Sequence, residues 1–301
     1  EISDGMLAIV DGFTGTIYVD PDEETLEKYQ KLQEEDERKK RLLQELKGKE
    51  NVTLDGTKIN IYANIGGIDN VGAVLLNDAG GIGLFRSEFL YLGKSDYPTE
   101  EEQFQAYKQA VQMMAGKKVI IRTLDIGGDK EIPYMGLEKD ENPFLGYRAI
   151  RLCLDRKEDI YKPQLRALLR ASAYGNIRIM IPLVTCIDEL REAKALIEEI
   201  KAELDEKNIA YKKDIQVGIM VETAAASLIA DIFAKEADFF SIGTNDLTQY
   251  TMSVDRGNKK VSYLYSTFNP AVLRSIRHII ACGREAGIMV GMCGEAASDP
   301  M

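Results

Sequence analysis

Histidine and tryptophan are almost missing from this chain, which has one histidine, no tryptophan and 4 cysteines among 301 residues. The cysteines, Cys153, Cys186, Cys282 and Cys293, show no C-x-x-C pairing and no spacing with histidine that is typical of a metal site. We therefore expect neither a disulfide framework nor a zinc site. The single histidine, His278, lies in the helical pattern LRSIRHIIACG, and we interpret it as a structural or surface residue rather than a catalytic one.

Long apolar runs and an excess of positive charge are also absent. No run approaches the roughly 20 residues that a membrane span needs, and no secretory signal opens the chain, so we expect a cytoplasmic protein without membrane insertion. The net charge of -11 argues against a general binder of nucleic acid. It still allows a small anionic ligand, because a local group of arginines can be basic within an acidic surface.

The first part of the sequence predicts small pieces rather than a domain. Residues 7–19 are typical of two short strands joined by a turn. Asp20, Pro21 and Glu23 predict the N-cap, first-turn proline and capping-box acid of a helix that ends near Gly48. Because the middle of this helix, QEEDERKKR, is entirely polar, we interpret it as a solvated connection between domains, with a short coiled-coil contact as the alternative.

From about residue 57 onward, strand-like runs alternate with helical patterns. The runs lie at 58–65, 81–92, 118–126, 177–184, 215–222, 239–243 and 288–294. Several are apolar on both faces, as strands are in a parallel sheet that helices cover on both sides. Seven such units predict an α/β fold, a (β/α)8 TIM barrel that lacks its last strand–helix unit. The alternative is that an eighth strand lies in the sequence outside these seven runs.

Three arginines lie at or just past the ends of these runs, namely Arg86, Arg122 and Arg256. A guanidinium is costly to bury unless an anion pairs with it. Its geometry matches carboxylate and phosphate oxygens, which favours a small ligand that carries both groups. The alternative is a structural ion pair with Glu88 or Asp125.

Arg148 and Arg151 lie in a predicted helix, NPFLGYRAIR, where they either add to this positive region or are surface charges. Gly127 and Gly128 allow a turn to approach an anion closely, although such a pair also forms simple tight turns.

Two acidic residues follow consecutive strands, Glu222 after IMV and Asp246 after SIGTN. Consecutive barrel strands place such carboxylates at the same face, which suits a hard cation that also contacts substrate phosphate. The alternative is that both carboxylates neutralise the arginines. Asn245 and Asp246 are expected in a loop with Arg256, where Asn245 either binds a ligand or caps a turn.

Cys293 ends the seventh predicted strand between glycines. A thiol holds its proton at neutral pH and can deliver it to carbon, so Cys293 is a candidate proton donor. Burial as a small apolar residue is the alternative, and we assign that role to the other three cysteines.

Six segments in this order resemble the phosphoenolpyruvate-utilising enzymes, and in particular the Enzyme I family of the bacterial phosphoenolpyruvate:sugar phosphotransferase system. The segments are GIGLFRSEFLYL, RTLDIGGDK, NPFLGYRAIR, GIMVET, SIGTNDLTQYTMSVDRGN and GMCGE. The resemblance implies a (β/α)8 barrel that binds phosphoenolpyruvate with Mg²⁺. It assigns site residues as follows: substrate binding to Arg86, Arg122, Asn245, Asp246 and Arg256, the metal to Glu222 and Asp246, proton donation to Cys293, and a role at the phosphoryl group to Arg148.

The resemblance also implies partners: an N-terminal domain with an acceptor histidine, the carrier protein HPr, and a second copy in a homodimer. The G-G-x-T-S-H type motif of that histidine is not in this sequence. We therefore expect a fragment, with residues 1–20 the trailing piece of the swivelling histidine domain, 21–48 a linker helix and 57–301 the barrel. Such a fragment cannot phosphorylate itself.

Two features depart from the family pattern. Ala224 stands where a proline is expected, and the segment LYSTFNP lacks a proline, so the rigidity of both loops is in doubt. The alternative assignments are the barrel of a pyruvate phosphate dikinase or a phosphoenolpyruvate synthase, or a non-catalytic dimerisation module.

Overall fold

The protein divides into two compact units between Ile59 and Asn60 in a computed structural model. The structure describes residues 3–127 and 132–299, and Gly128 of the predicted glycine turn lies outside the described residues.

The first unit contains a hairpin and a long helix. Strands β1 (Ala8–Asp11) and β2 (Thr16–Val19) pair antiparallel, which confirms the two predicted strands. Helix α1 spans Glu23–Gln44, and none of its residues is buried. The Tyr29 hydroxyl on α1 forms hydrogen bonds with the Asp11 carboxylate and the Tyr18 hydroxyl, both at 3.1 Å.

The predicted start of this helix is wrong by two residues. Asp22, not Asp20, is the N-cap, because its side chain accepts the backbone N–H of Thr25 at 2.8 Å. Asp20 instead has a φ of 50°, outside helical geometry, and this places Pro21 before the helix rather than in its first turn. The helix ends before Gly48, whose φ is 73°.

The second unit is built on seven parallel strands that pair in sequence order. They are β3 (Ala63–Ile65), β4 (Gly81–Arg86), β5 (Lys118–Arg122), β6 (Ile177–Ile181), β7 (Gln216–Val221), β8 (Phe239–Gly243) and β9 (Met289–Cys293). All seven predicted runs therefore contain a strand of the same sheet.

Three predicted strands are too long. The run 58–65 contributes only β3, since Lys58 pairs with Val52 within the first unit instead. The run 81–92 ends as a strand at Arg86 and continues as a 3-10 turn at Ser87–Leu90. The run 118–126 leaves the sheet after Arg122. In the last two runs most of the extra residues are buried or half-buried, so their pattern resembles that of a strand, although Phe89 is exposed.

Helices connect the strands. They are α2 (Val71–Leu76), α3 (Glu100–Met113), α4 (Ile150–Asp155), α5 (Lys162–Ser172), α6 (Ile187–Glu206), α7 (Ala224–Leu228), α8 (Ala230–Phe233), α9 (Thr244–Met252) and α10 (Pro270–Glu285). Shorter 3-10 turns lie at Ile68–Asn70, Pro133–Met135, Pro143–Leu145, Ser262–Leu264 and Glu295–Ser298, and a π-helical turn at Lys157–Tyr161. Sequence signals set several starts: Thr99 and Glu102 form a capping box at α3. Among the described residues no helix combines the length and apolarity that crossing a bilayer requires.

The sheet is curled, because one face of six consecutive strands converges on a single cluster. Its members are Leu84, Ile120, Met180, Met220, Phe239 and Cys293. The opposite face packs with the helices in a larger apolar core. The second unit is therefore an α/β fold whose parallel sheet forms a half-barrel, with a concave interior and an outer layer of helices.

Candidate active site

The carboxyl ends of the strands gather buried charges of both signs. Arg122, the last residue of β5, is 7% exposed. Its Nη2 lies 2.6 Å from Glu88 Oε1 and its Nη1 lies 3.0 Å from Asp125 Oδ2. Burial opposes the charge, but Asp125 and Glu88 outweigh it and raise the pKa of Arg122. Both ion pairs that the sequence offered as alternatives are present, and they hold this arginine in the site.

Arg148 extends this charged cluster to the next strands. Its Nη2 lies 2.8 Å from Asp125 Oδ1 and 3.2 Å from Asp246 Oδ2, and its Nη1 donates to the Tyr250 hydroxyl at 3.2 Å. The reading of Arg148 as a surface charge is wrong, since it is 4% exposed and precedes α4 rather than lying on a helix. Arg151 donates instead to two backbone carbonyls, at Leu145 and Gly146.

Gly127 allows Arg148 to lie this close. Its φ is 107°, and a Cβ built there would stand 2.4 Å from the Arg148 Cβ. The predicted close approach at this glycine is present, but the neighbour is an arginine of the chain.

Asp246 joins two arginines from different segments. Its Oδ2 faces Arg148, and its Oδ1 lies 3.1 Å from Arg256 Nη1. The predicted loop around Asn245 and Asp246 is wrong, because α9 begins at Thr244 directly after β8. The first turn of a helix favours a carboxylate, as Asp246 provides. The Asn245 side chain accepts the backbone N–H of Glu295 at 3.0 Å, which ties α9 to the segment after β9.

Glu222 follows β7 and is 2% exposed. Its Oε1 accepts the backbone N–H of Leu183 at 2.8 Å. Burial, followed by the negative charges of Asp246 and Asp125, raises the pKa of Glu222 to about 8. The nearby arginines therefore leave this carboxylate short of compensating positive charge.

A cation fits this pair of carboxylates. Among residues 3–127 and 132–299 no group of three or more histidine, cysteine or acidic side chains is arranged to hold a metal ion. Two carboxylates are nevertheless what Mg²⁺ uses when waters and substrate phosphate complete its coordination. Glu222 and Asp246 offer hard oxygen ligands, and a cation would replace the proton that the raised pKa of Glu222 retains near neutral pH.

Cys293 ends β9 beside this cluster. Its Sγ accepts a hydrogen bond from the Ser241 hydroxyl at 3.7 Å, and its carbonyl accepts one from Thr244 at 2.8 Å. Burial raises the pKa of Cys293 to about 11, so the thiol keeps its proton at neutral pH. Cys153 and Cys282 are buried as expected, but Cys186 is exposed, which corrects the expectation that all three other cysteines are core residues.

Arg86 differs from the other arginines. Its guanidinium lies 4.8 Å from the centre of the Phe89 ring, and within the described part of the chain it forms no ion pair. Its buried Nε has no hydrogen-bond partner there. Arg86 pairs in register with Arg122 across β4 and β5, which places an unneutralised cation at the same sheet edge.

The sequence reasoning missed Tyr250. A signal was present, because Tyr250 follows Asp246 by four residues and so shares its face of α9. His278 contacts Cys282 one turn along α10, with 3.6 Å between Nε2 and Sγ, in agreement with a structural role.

Comparison with known proteins places this arrangement in a family. Residues 40–301 match the phosphoenolpyruvate-binding domain of the PEP-utilising enzymes. The chain belongs to the PEP-utilising enzymes. The predicted resemblance is therefore confirmed.

Curated relatives point to one group within this family. The proteins named phosphoenolpyruvate-protein phosphotransferase from Priestia megaterium and Staphylococcus carnosus are each 52% identical to the chain over 299 residues, and the one from Geobacillus stearothermophilus is 52% identical over 301 residues. The matches cover 99%, 99% and 100% of this chain but 52% of each relative. The chain thus spans about half the length of these relatives.

A solved structure of an HpcH/HpaI aldolase/citrate lyase family protein from Burkholderia cenocepacia shows a weaker likeness. It covers 79% of this chain and 82% of its own, with a TM-score of 0.48 and 13% identity. This likeness is too low to add to the family assignment.

Proposed function

We propose that the chain binds phosphoenolpyruvate with Mg²⁺ and forms the substrate-binding half of a phosphoenolpyruvate-protein phosphotransferase. The observation that carries the proposal is the meeting of Arg122, Arg148 and Arg256 with buried carboxylates at one end of the half-barrel. Phosphoenolpyruvate has a carboxylate, a phosphate and a carbon that needs a proton. Arginines match the first two groups, and the protonated thiol of Cys293 matches the third.

In this proposal Arg86, Arg122, Asn245 and Arg256 hold the substrate, together with Asp246 at its metal-bound end. Arg148 neutralises charge on the phosphoryl group. Glu222 and Asp246 hold Mg²⁺, which when bound would neutralise phosphate charge. Arg86 suits this role, because it forms no ion pair with the described residues and a substrate anion would neutralise it.

The phosphoryl group would pass to a histidine on a separate domain and then to HPr. The bond between phosphorus and the enol oxygen breaks while a bond to the histidine nitrogen forms. The electron pair of the resulting enolate takes the proton of Cys293 at its terminal carbon, which yields pyruvate and a thiolate. The burial that raises the pKa of Cys293 supports this role by keeping the thiol protonated until then.

We further propose that the seven strands are seven of the eight strands of a (β/α)8 barrel, since the half-barrel curls around a single interior cluster. A homodimer is also proposed, because exposed apolar side chains recur on α10 and on the turn before it. These side chains are Tyr263, Leu264, Phe268, Leu273 and Ile280. Sedimentation velocity at increasing protein concentration tests this, and a single monomeric species throughout would contradict it.

Calorimetry tests the main proposal. The chain should bind phosphoenolpyruvate in the presence of Mg²⁺, and Arg256→Ala should weaken the binding by about a hundredfold or more. Arg191→Ala serves as the control, because Arg191 pairs with Glu236 on an exposed surface and its loss should leave the affinity unchanged. No heat at millimolar ligand would overturn the proposal and favour a non-catalytic dimerisation module.

The names of the curated relatives favour this function over a pyruvate phosphate dikinase or a phosphoenolpyruvate synthase. An assay separates them: if an N-terminal histidine domain is added, phosphoenolpyruvate alone should phosphorylate it. A requirement for ATP or AMP would instead support the dikinase or synthase assignment.

A further inference from the structure

Tyr250 holds Arg148 from the same helix that carries Asp246. The two residues lie one turn apart on α9 and both face the guanidinium, Asp246 through Oδ2 at 3.2 Å and Tyr250 through its hydroxyl at 3.2 Å. Arg148 thus has three partners in the described part of the chain, and the third is Asp125 at 2.8 Å. Asp125 and Asp246 share Nη2, so Tyr250 alone binds Nη1.

In the proposed reaction the Asp246 carboxylate has to bind Mg²⁺, although in this structure it already pairs with two arginines. Its two oxygens lie on Arg148 and Arg256. A carboxylate that turns toward a cation gives up part of its contact with an arginine. The position of the Arg148 guanidinium would then depend on its hydrogen bonds to Asp125 and Tyr250. The buried Nε of Arg148 adds no further contact, because it has no hydrogen-bond partner in the described structure.

The Tyr250 hydroxyl is oriented for this task. It donates its proton to the backbone carbonyl of Phe144, which leaves an oxygen lone pair to accept from Arg148. The Phe144 ring lies 5.8 Å from the Cζ of Arg148 and 5.9 Å from that of Arg256. The Tyr250 hydroxyl therefore links α9 both to the turn at Pro143–Leu145 and to the Arg148 guanidinium.

We propose that Tyr250 is a positioning residue that keeps Arg148 at the phosphoryl group while Asp246 changes partner from arginine to cation. This inference rests on the proposed function for the identity of the ligand, whereas the contacts of Tyr250 with Arg148 and Phe144 do not depend on that function. A purely structural role predicts that Tyr250→Phe changes only stability. A positioning role predicts that the variant releases the Arg148 guanidinium and weakens the binding of phosphoenolpyruvate.

The test compares Tyr250→Phe with Tyr134→Phe. Tyr134 is a matched control, because its hydroxyl also donates to a backbone carbonyl, that of Tyr91 at 3.0 Å. Calorimetry with phosphoenolpyruvate and Mg²⁺ should show about tenfold weaker binding for Tyr250→Phe, the order expected when a hydrogen bond to a charged group is lost. Tyr134→Phe should bind within about twofold of the unchanged chain, because the Tyr134 hydroxyl donates to the Tyr91 carbonyl rather than contacting a charged side chain of the site.

A second readout needs no ligand. Nitrogen NMR of the arginine side chains reports how fast the Arg148 guanidinium rotates, with Arg148→Lys to assign its signal. Rotation should become faster in Tyr250→Phe but not in Tyr134→Phe. Equal rotation rates in Tyr250→Phe and the unchanged chain would overturn the inference, and so would equal affinities.

The two readouts also separate this inference from the proposed function. If the unchanged chain fails to bind phosphoenolpyruvate but Tyr250→Phe still releases Arg148, the proposed ligand is wrong and the positioning contact is supported. If the unchanged chain binds phosphoenolpyruvate and Tyr250→Phe binds it equally well, the proposed function stands and the inference falls.

Discussion

The two ends of the curled sheet differ in whether their positively charged side chains form ion pairs with carboxylates. At the carboxyl ends, Arg122, Arg148 and Arg256 each lie within 3.2 Å of a carboxylate oxygen. At the amino ends, Lys118 and Arg178 point toward the same Met289 sulfur, at 3.5 and 4.0 Å. Neither of these two forms an ion pair within the described part of the chain.

This difference shows that a site is defined by how its charges are arranged rather than by how many it has. Both ends contain cations on the concave face. Only the carboxyl end buries them among acidic side chains that a ligand or cation can displace, as is usual for barrels that carry their chemistry at that end. At the amino end, burial lowers the pKa of Arg178, and the smaller opposing effects of Tyr62 and Asp238 do not reverse the shift.

The largest expected effect comes from removing the central arginine of the site. Arg122→Met should lower the free energy of unfolding by about 3–5 kcal/mol, because it removes a buried cation that pairs with both Glu88 and Asp125. Urea unfolding followed by circular dichroism measures the change. A loss below about 1 kcal/mol is the range of an exposed ion pair. Such a loss would contradict the claim that the ion pairs at the carboxyl end stabilise the fold more than the cations at the amino end do.

The next effect concerns the close contact between β8 and Glu222. A Cβ on Gly243 would stand 2.5 Å from Glu222 Oε2, so Gly243→Ala should cost about 1–3 kcal/mol of stability and displace the carboxylate. Gly291→Ala on β9 is the control, since its nearest neighbour is 3.8 Å away. If both variants unfold at the same urea concentration, the close contact between Gly243 and Glu222 is contradicted.

Alkylation rates test the thiol at the carboxyl end. Exposed Cys186 should react first with iodoacetamide and buried Cys293 slowly. Because the pKa of Cys293 is raised to about 11, its thiolate fraction should still rise about tenfold per pH unit near pH 9.5, where an ordinary thiol has levelled off. Mass spectrometry of peptides from samples labelled at several pH values gives both rates, and a plateau for Cys293 near pH 9 would contradict the buried environment.

The smallest effect is expected at the amino end. Arg178→Met removes a charge that forms no ion pair in the described structure, so the free energy of unfolding should change by less than about 1 kcal/mol. The same urea titration measures it. A loss as large as that of Arg122→Met would break the contrast between the two ends.

Much of this architecture could be predicted from sequence periodicity. The alternation of apolar runs and amphipathic helices located all seven strands, because burial on both faces leaves a continuous apolar signal. The strand ends could not be located in this way. Residues after Arg86 and Arg122 are buried but non-strand, and a hydrophobic pattern does not distinguish the two.

Individual residues of the candidate site could be predicted from the sequence, but the contacts between them could not. Arg86, Glu222 and Cys293 stood out because charged or reactive side chains end apolar runs. The network of Arg148 with Asp125, Asp246 and Tyr250 depends on contacts over 23 to 102 residues of sequence, which no local pattern encodes. Arg148 in particular was ambiguous, since its short segment before α4 has the composition of a helix.

The most direct test of the central claim is the affinity for phosphoenolpyruvate of two matched variants, one from each end of the sheet. In calorimetry with Mg²⁺, Arg256→Met at the carboxyl end should weaken binding by about a hundredfold, the order expected when a charge-assisted contact to the ligand is lost. Arg178→Met at the amino end should leave the affinity within about twofold of the unchanged chain. Equal weakening by both variants, or by neither, would contradict the assignment of the substrate to the carboxyl end.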